Sequence, residues 1–310
     1  MSVTFSIVAP VFNELENIPE FYRRVREVMS ATHQTWELVL VDDGSSDGST
    51  ECIRELAKKD KHIHPVIFAR NFGHQPAITA GWDYARGDAV IIMDADLQDP
   101  PEVVPDLIAK WREGYEVVYA VRAEREGETW FKKVTAVLFY RIIFRITEVK
   151  IPLDTGDFRL LDRKVVDVLK KMRERHRFPR GMAAWVGFRQ VGVPYKRAAR
   201  FAGVTKYPFK KMLKLALNAI TGFSYFPLQL ATYFGFGSAG LAIVAIPVVA
   251  IMRIMGSQFF GGQATTLIAV LFLGGVQLIS LGVLGEYLGR IYDEVKGRPL
   301  YVVREEPPNK

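Results

Sequence analysis

Between Leu215 and Gly285 the chain carries a single charged residue, Arg253. A helix rises about 1.5 Å per residue and needs about 20 apolar residues to cross the hydrocarbon of a bilayer. The runs Leu215–Met252 and Ile254–Gly285 both exceed that length. A soluble helical hairpin of this size carries polar faces, and these runs have none. The pattern predicts two membrane spans, near Phe226–Met252 and Thr265–Tyr287, joined by a turn around Gly256–Gly262. Lys206, Lys210, Lys211 and Lys214 precede the first span, and Arg290, Lys296, Arg298 and Arg304 follow the second. Basic flanks stay on the cytoplasmic side. The expected arrangement is therefore a multi-pass protein of the cytoplasmic (inner or plasma) membrane, with both termini in the cytoplasm. Lys210, Lys211 and Lys214 share one helix face, opposite Phe209, Met212, Leu213, Ala216 and Ile220. Such a helix lies in the membrane interface. The plainer alternative is a solvated helix face, and closeness to a span weighs against it. Four segments result: a cytoplasmic domain over 1–205, an interfacial region over 206–225, the spans over 226–287 and a cytoplasmic tail over 288–310.

The polar first two thirds alternates strand and helix patterns. The apolar run Phe5–Val11 is followed by Leu15, Ile18, Phe21, Val25 and Val28 at helical spacing. Trp36–Val41, Pro65–Ala69, Ala89–Met93 and Val117–Val121 read as further strands. Helices are expected around Ile53–Ala57, over Ala77–Ala85 with Gly87 to close it, and over Pro100–Glu113. This alternation predicts an α/β domain with a mostly parallel sheet covered on both faces. Ligands then bind beyond the carboxyl ends of the strands. Trp130–Ile146 reads as a helix packed between domain and membrane, with a buried helix inside the domain as the alternative, and Leu153–Leu161 and Gly181–Val193 return to the globular part. Lys and Arg outnumber Asp and Glu by 41 to 34. With no zinc-finger or basic-zipper spacing, that excess points to a membrane surface or phosphorylated substrates, not to nucleic acid. Cys52 is the single cysteine, which excludes an internal disulfide and fits a reducing compartment. Met1 leads into the strand-like Val3–Val11, so no secretory signal is expected.

Acidic residues gather where the strands end. Asp94-Ala95-Asp96 delivers two carboxylates to an exposed strand tip, and Gln98 adds a neutral oxygen. Hard cations such as Mg²⁺ and Mn²⁺ prefer oxygen ligands and share them between carboxylates and substrate phosphates. A metal there offsets the charge that builds on a departing nucleoside diphosphate. Asp42-Asp43-Gly44-Ser45-Ser46-Asp47-Gly48 is a second acidic turn. Turn and cap chemistry explains part of it, and hydrogen bonding to a ribose or base is the alternative. After the first strand, Phe12 is suited to flank a base and Glu14 to take a polar edge.

Taken in order, Pro10-Val11-Phe12-Asn13-Glu14, Val41-Asp42-Asp43-Gly44-Ser45, Asp94-Ala95-Asp96-Leu97-Gln98 and Asp154-Thr155-Gly156-Asp157-Phe158-Arg159 resemble the motifs of glycosyltransferase family 2. Within it the chain is similar to polyprenyl-phosphate glycosyltransferases: the bactoprenol glucosyltransferase group, related to dolichol-phosphate mannose synthases. The resemblance implies a nucleotide-diphospho-sugar (GT-A) fold, inversion at the anomeric carbon and dependence on Mg²⁺ or Mn²⁺. It assigns Pro10, Phe12, Glu14 and Asp43 to the nucleoside, and Asp94, Asp96 and Gln98 to metal and diphosphate. Processive synthases of the family carry Gln-x-x-Arg-Trp. The comparable Arg180-Gly181-Met182-Ala183-Ala184-Trp185 lacks it, which counts against polymerisation.

Asp157 occupies the position that serves as base in relatives with hydroxyl acceptors. A phosphate monoester has a second pKa of about 6 and brings its own nucleophilic oxygen. Asp157 is therefore expected to orient acceptor or donor more than to remove a proton; pairing with Arg159 is the structural alternative. Arg200 and Lys206 are expected on the diphosphate side. Arg122, Arg125, Lys132 and the hydroxyl of Thr135 are expected at the lipid phosphate. The expected reaction moves a hexose, foremost glucose from UDP-glucose, to undecaprenyl or another polyprenyl phosphate. Mannose from GDP-mannose and aminoarabinose from its UDP form are the enzyme alternatives. An inactive sugar-nucleotide scaffold is the non-enzyme alternative. Two spans with no charge beyond Glu286 offer a transporter no path; they anchor the chain or gather copies into a homo-oligomer.

Overall fold

Every residue of the first strand, β1 (Phe5–Val11), is buried. A strand covered on both faces reads as continuous apolar sequence, without the alternation of a half-exposed one. In the computed structural model, which describes residues 3–122, 155–197, 224–256 and 263–307, β1 lies centrally in an eight-stranded sheet. The other strands are β2 (Trp36–Asp42), β3 (Ile63–Phe68), β4 (Ala89–Ile92), β5 (Val117–Arg122), β6 (Thr155–Asp162), β7 (Gln190–Tyr195) and β8 (Val303–Glu305). Their order is β7-β5-β6-β4-β1-β2-β3-β8. The pairs β1–β2, β1–β4, β2–β3 and β5–β7 are parallel. Strand β6 runs antiparallel to both β4 and β5, and β8 runs antiparallel to β3. The expected mostly parallel sheet is present. The helix expected over Trp130–Ile146 and nearly all of the interfacial region expected over 206–225 lie outside the described residues.

Helix α1 (Ile18–Ala31) turns Ile18, Phe21, Val25 and Met29 into the core. Burying each such side chain contributes about 1.5–3 kcal/mol. Helices α2 (Ser49–Lys59), α3 (His74–Tyr84), α4 (Val104–Arg112), α5 (Arg163–Lys171) and α6 (Pro179–Trp185) complete the unit. Helix α3 starts earlier than Ala77 because Pro76 falls in its first turn, where a missing N–H costs nothing. Gly87 does not close this helix. Its C-cap is Ala85. A Cβ at Gly87 would stand 2.6 Å from the Ser6 amide nitrogen and 2.8 Å from the Phe5 carbonyl carbon, so the glycine permits a close backbone approach to β1.

The chain divides into two compact units, Met1–Ala219 with Arg298–Lys310, and Ile220–Gly297. The second contains α7 (Phe226–Ile254) and α8 (Gln263–Val295), which pack on one another. Within them Phe226–Met252 and Ile268–Val295 both have a mean hydropathy of 2.2 and are long enough to cross a membrane. The Tyr287 hydroxyl donates to the Ser224 carbonyl at 2.8 Å. Helix α8 continues past the expected end at Tyr287, through Gly289, to Val295, and the left-handed Gly297 at φ 58° follows its end. The segment from 288, expected as a cytoplasmic tail, thus begins as helix. Its last part belongs to the first unit as β8, with Ile67 opposite Glu305 and Phe68 opposite Val303.

Candidate active site

Because β1, β2 and β4 are parallel, their carboxyl ends lie along one edge of the sheet. Strand β6 is antiparallel to β4 with Ile92 opposite Arg159, so its beginning reaches the same edge. Asp157 is thereby carried to the tip that bears Asp94 and Asp96. Strand β7 follows β5 in parallel with Arg122 opposite Tyr195, which adds their ends.

His74, the first residue of α3, joins the two carboxylate groups. Its Nε2 lies 3.3 Å from Asp157 Oδ2 and 3.6 Å from Asp94 Oδ1. Arg180, from the first turn of α6, donates from Nε to Asp157 Oδ1 at 2.9 Å and from Nη2 to Oδ2 at 3.3 Å. Burial alone would raise the Asp157 carboxyl, but Arg180 and His74 hold it well below the usual range. Burial pulls the His74 imidazole down, and Asp94 and Asp157 outweigh it, lifting the ring to about 9. Asp94 is pushed up to about 6 by burial, against the pull of His74 and with help from Asp99, Asp157 and Asp96. Asp157 is thus a fixed anion in a polar clamp.

The turn after β4 supplies Asp96, whose Oδ1 accepts the Gln98 N–H at 3.1 Å. Leu97 between them is buried with φ 59°. A left-handed non-glycine residue costs about 1–2 kcal/mol, and this one turns the chain so that Asp96 and Gln98 sit on one short bend. Further along, the Tyr195 hydroxyl donates to Asp99 Oδ1. Arg197 Nε stands 3.7 Å from the same oxygen. Burial raises the Asp99 carboxyl, with Tyr195, Arg122 and Arg197 opposing. Arg122 Nη2 lies 3.1 Å from where a Cβ on Gly156 would stand, so the glycine lets that guanidinium lie against the start of β6.

The donor set fits a hard divalent cation. Asp94 is half-buried beside like charges that, with desolvation, push its carboxyl up, and a cation at the tip would relieve them. Among the described residues no three His, Cys, Asp or Glu side chains form a closed metal cage.

The second acidic turn is built differently. Asp43 accepts the Phe72 N–H at 2.6 Å and the Gly73 N–H at 2.9 Å, and burial raises its carboxyl while those donors oppose it. Asp42 accepts the Ser45 N–H at 3.0 Å and the Thr50 hydroxyl. Asp47 accepts the Leu15 N–H at 3.1 Å and the Ser49 N–H at 3.0 Å. Asn13, at φ 54°, ties the turn after β1 to this one through Ser45 and Ser46. Pro10 is buried within β1, Phe12 is 38% exposed at the edge, and Glu14 Oε2 accepts from Asn17 at 2.5 Å.

Comparison with known proteins decides the class. Residues 6–170 match Glycosyl transferase family 2. An uncharacterized glycosyltransferase of Bacillus subtilis is 50% identical, over 98% of this chain and 94% of its own. The bactoprenol glucosyl transferase of Shigella phage SfII is 45% identical, over 97% of each chain. This chain belongs to glycosyl transferase family 2. A solved mannosyltransferase from Pyrobaculum calidifontis, in complex with GDP-Man and Mn²⁺, is 18% identical over 93% of this chain and 88% of that one, with a TM-score of 0.46.

In this family 2 glycosyltransferase the structure brings Asp94, Asp96, Gln98, Asp157, Arg122, Pro10, Phe12, Glu14 and Asp43 to one edge of the sheet. Arg125, Lys132, Thr135, Arg200 and Lys206 lie outside the described residues. The partner of Asp157 is Arg180, whereas Arg159 turns to the Gly156 carbonyl at 3.0 Å. His74, Arg180 and Asp99 escape the sequence reading. His74 had one available signal, its place directly after Asn71-Phe72-Gly73 at a helix start. Arg180 had none, because its partner is brought to it by the antiparallel β6.

Proposed function

We propose that this glycosyltransferase makes a polyprenyl-phosphate hexose, moving glucose from UDP-glucose to undecaprenyl phosphate at the cytoplasmic membrane face. The observation that carries this reading is the meeting of the Asp94–Asp96 tip with the clamped Asp157 through one histidine nitrogen. Such a site holds a donor diphosphate on one side and a second reactant on the other. The names of relatives 44–45% identical along nearly the whole chain support the lipid acceptor.

In this reading a lipid-phosphate oxygen forms a bond to the anomeric carbon while the bond from that carbon to the diphosphate oxygen breaks. UDP leaves and the configuration inverts. Asp94, Asp96 and Gln98 would hold Mg²⁺ or Mn²⁺ with the diphosphate, and the ion would supply charge stabilisation for the departing UDP. Pro10, Phe12, Glu14 and Asp43 frame the nucleoside. Asp157, kept ionised by Arg180 and His74, accepts hydrogen bonds from hydroxyls and fixes the sugar for attack. The acceptor arrives largely dianionic, since its second pKa is about 6, so it needs no base. Arg122, Arg125, Lys132 and Thr135 meet the lipid phosphate, and Arg200 and Lys206 the diphosphate.

Residues on both sides of the α7–α8 pair belong to one folded unit. In this reading the chain crosses the membrane an even number of times between β7 and β8, and that connectivity supports it. With the basic flanks, it supports a hairpin whose two ends are cytoplasmic. Residues 206–225 lie in the interface in this reading, and the spans serve as anchor or as a homo-oligomer contact. The test offers purified protein a panel of radiolabelled UDP- and GDP-sugars with undecaprenyl phosphate, with and without EDTA. Organic-phase label from UDP-glucose alone, abolished by EDTA, is the expected result. Label from GDP-mannose or UDP-aminoarabinose would replace the donor, and UDP binding without turnover would reduce the chain to a scaffold.

A further inference from the structure

The segment Arg298–Glu305 does more than end the chain. Tyr301 stacks on Phe68, with ring centroids 5.0 Å apart and planes 10° apart, and donates its hydroxyl to Asp83 at 2.6 Å. Val302 accepts the Ala69 N–H at 2.9 Å, and Arg304 donates to the Ala69 carbonyl at 3.2 Å. The pairing of β3 with β8 shifts register between Ile67 and Phe68, where β3 gives way to the loop 69–73.

That loop is held from its other side by the donor-side turn. A Cβ at Gly44, whose φ is 70°, would stand 2.5 Å from the Arg70 carbonyl carbon and 2.6 Å from the Asn71 nitrogen. The two backbones therefore touch. Asp43 takes the N–H groups of Phe72 and Gly73, and Phe72 meets Phe68 edge-on at 5.7 Å. The next residue is His74, which faces Asp94 and Asp157. The loop is thus pressed between the returning C-terminal segment and the Asp43–Gly44 turn, and Phe68 is the shared wall. Aromatic pairs at such separations contribute about 0.5–1.5 kcal/mol beyond the area they bury.

We infer that Arg298–Glu305 is a strap that sets the position of loop 69–73, and that Tyr301 is the positioning residue through which it controls affinity for the nucleoside diphosphate. The inference rests on the proposed assignment of Asp43 to the nucleoside. It adds that the segment directly following the second apolar helix, far from the binding motifs in sequence, is part of what shapes the donor pocket. No residue of the strap touches the reacting atoms in this scheme. Its effect falls on donor binding, and turnover at saturating donor changes little.

The experiment uses the full chain with UDP and Mn²⁺ as the probe and no acceptor, so a wrong lipid assignment leaves it intact. Two quantities are measured: UDP affinity by titration calorimetry and amide exchange of residues 69–73 by mass spectrometry. Tyr301→Ala is expected to weaken UDP binding about tenfold and to speed exchange at Phe72 and Gly73 by a similar factor. Tyr301→Phe keeps the stacked ring and stays within about twofold of the parent. Glu27→Gln, which cuts an exposed pair with Arg23 on α1 and lies outside the strap, leaves UDP affinity unchanged. In a separate turnover assay with undecaprenyl phosphate as acceptor, a donor KM raised in parallel with the weaker UDP affinity, with kcat within about threefold, marks positioning rather than general loss of structure. Should Tyr301→Ala not accumulate, Tyr301→Leu keeps volume without the flat ring and carries the same expectation. A folded Tyr301→Ala or Tyr301→Leu protein with parental UDP affinity and parental exchange over 69–73 overturns the inference. So does equal weakening by Tyr301→Phe and Tyr301→Ala, which would make the Asp83 contact the whole effect.

Discussion

Two acidic turns stand on either side of β1, and the protein uses their carboxylates in opposite ways. At the end of β2, Asp42, Asp43 and Asp47 are occupied by backbone N–H groups and hydroxyls of neighbouring loops. At the end of β4, Asp94 faces a histidine at 3.6 Å across a site shared with Asp96, Asp99 and Asp157. The first turn spends its charge on holding three loops together. The second keeps charge in reserve at a place where burial penalises it, which is tolerable when a ligand cation arrives. The difference teaches that acidity at a strand tip does not itself mark a metal site: Asp42, Asp43 and Asp47 are engaged by donors of neighbouring loops, whereas the Asp94 carboxyl is pushed up by burial and by the like charges of Asp99, Asp157 and Asp96 around it.

The largest test of that contrast is at the second turn. Asp96→Ala is expected to lower product formation by about a thousandfold, the scale on which an electrostatic group at a developing charge acts. Organic-phase label counts this directly, and label unchanged by both the substitution and EDTA would remove the cation from the scheme. Asp157→Asn keeps the shape but loses the anion that Arg180 and His74 surround. A fall of about a hundredfold in kcat is expected, read under single turnover, and full turnover would leave Asp157 with no functional part. At the first turn the effects are smaller. Asp43→Asn retains one acceptor oxygen for the Phe72 and Gly73 amides, so donor KM should rise about fivefold with kcat little changed. An effect on kcat as large as that of Asp157→Asn would erase the distinction between the turns.

The smallest effect concerns stability alone. The Asp47 carboxyl, which burial would raise, is held below its ordinary value by the Ser49 hydroxyl and by the N–H groups of Ser49 and Leu15. A carboxyl depressed in the fold stabilises above its unfolded pKa, and that contribution is lost as pH falls through the lower folded value. Asp47→Ala should therefore cost about 1 kcal/mol near neutrality, as loss of a cap does, with the gap to the parent closing below about pH 4. Denaturant midpoints at pH 7 and pH 3 check the sign. A gap that widens in acid would mean the carboxylate does no holding.

Local pattern made much of this legible in the sequence. The five strands β1 to β5 are largely apolar runs closed by turn residues, and the two helices of the second unit hold long uncharged runs. The Asp94–Asp96 tip follows from such a strand ending where it does. What local pattern cannot carry is partnership between distant segments. Strand β6 enters between β4 and β5 in the opposite direction, and only that pairing brings Arg180 to Asp157. His74 is one histidine at a helix start until the sheet sets Asp94 and Asp157 beside it. Gly87 reads as a helix terminator, while its real constraint is the Ser6 backbone, which lies far from it in sequence.

The three-residue β8 bears on any attempt to make a lipid-free version of the catalytic unit. A gene cut short after β7 would strip β3 of its neighbour and leave a row of unmated backbone groups open to other molecules. Aggregation, not merely a missing anchor, is what such a truncation invites. A soluble variant should instead replace Ile220–Gly297 by a hydrophilic linker and keep Arg298 onward, so that the outermost strand still finds its seat.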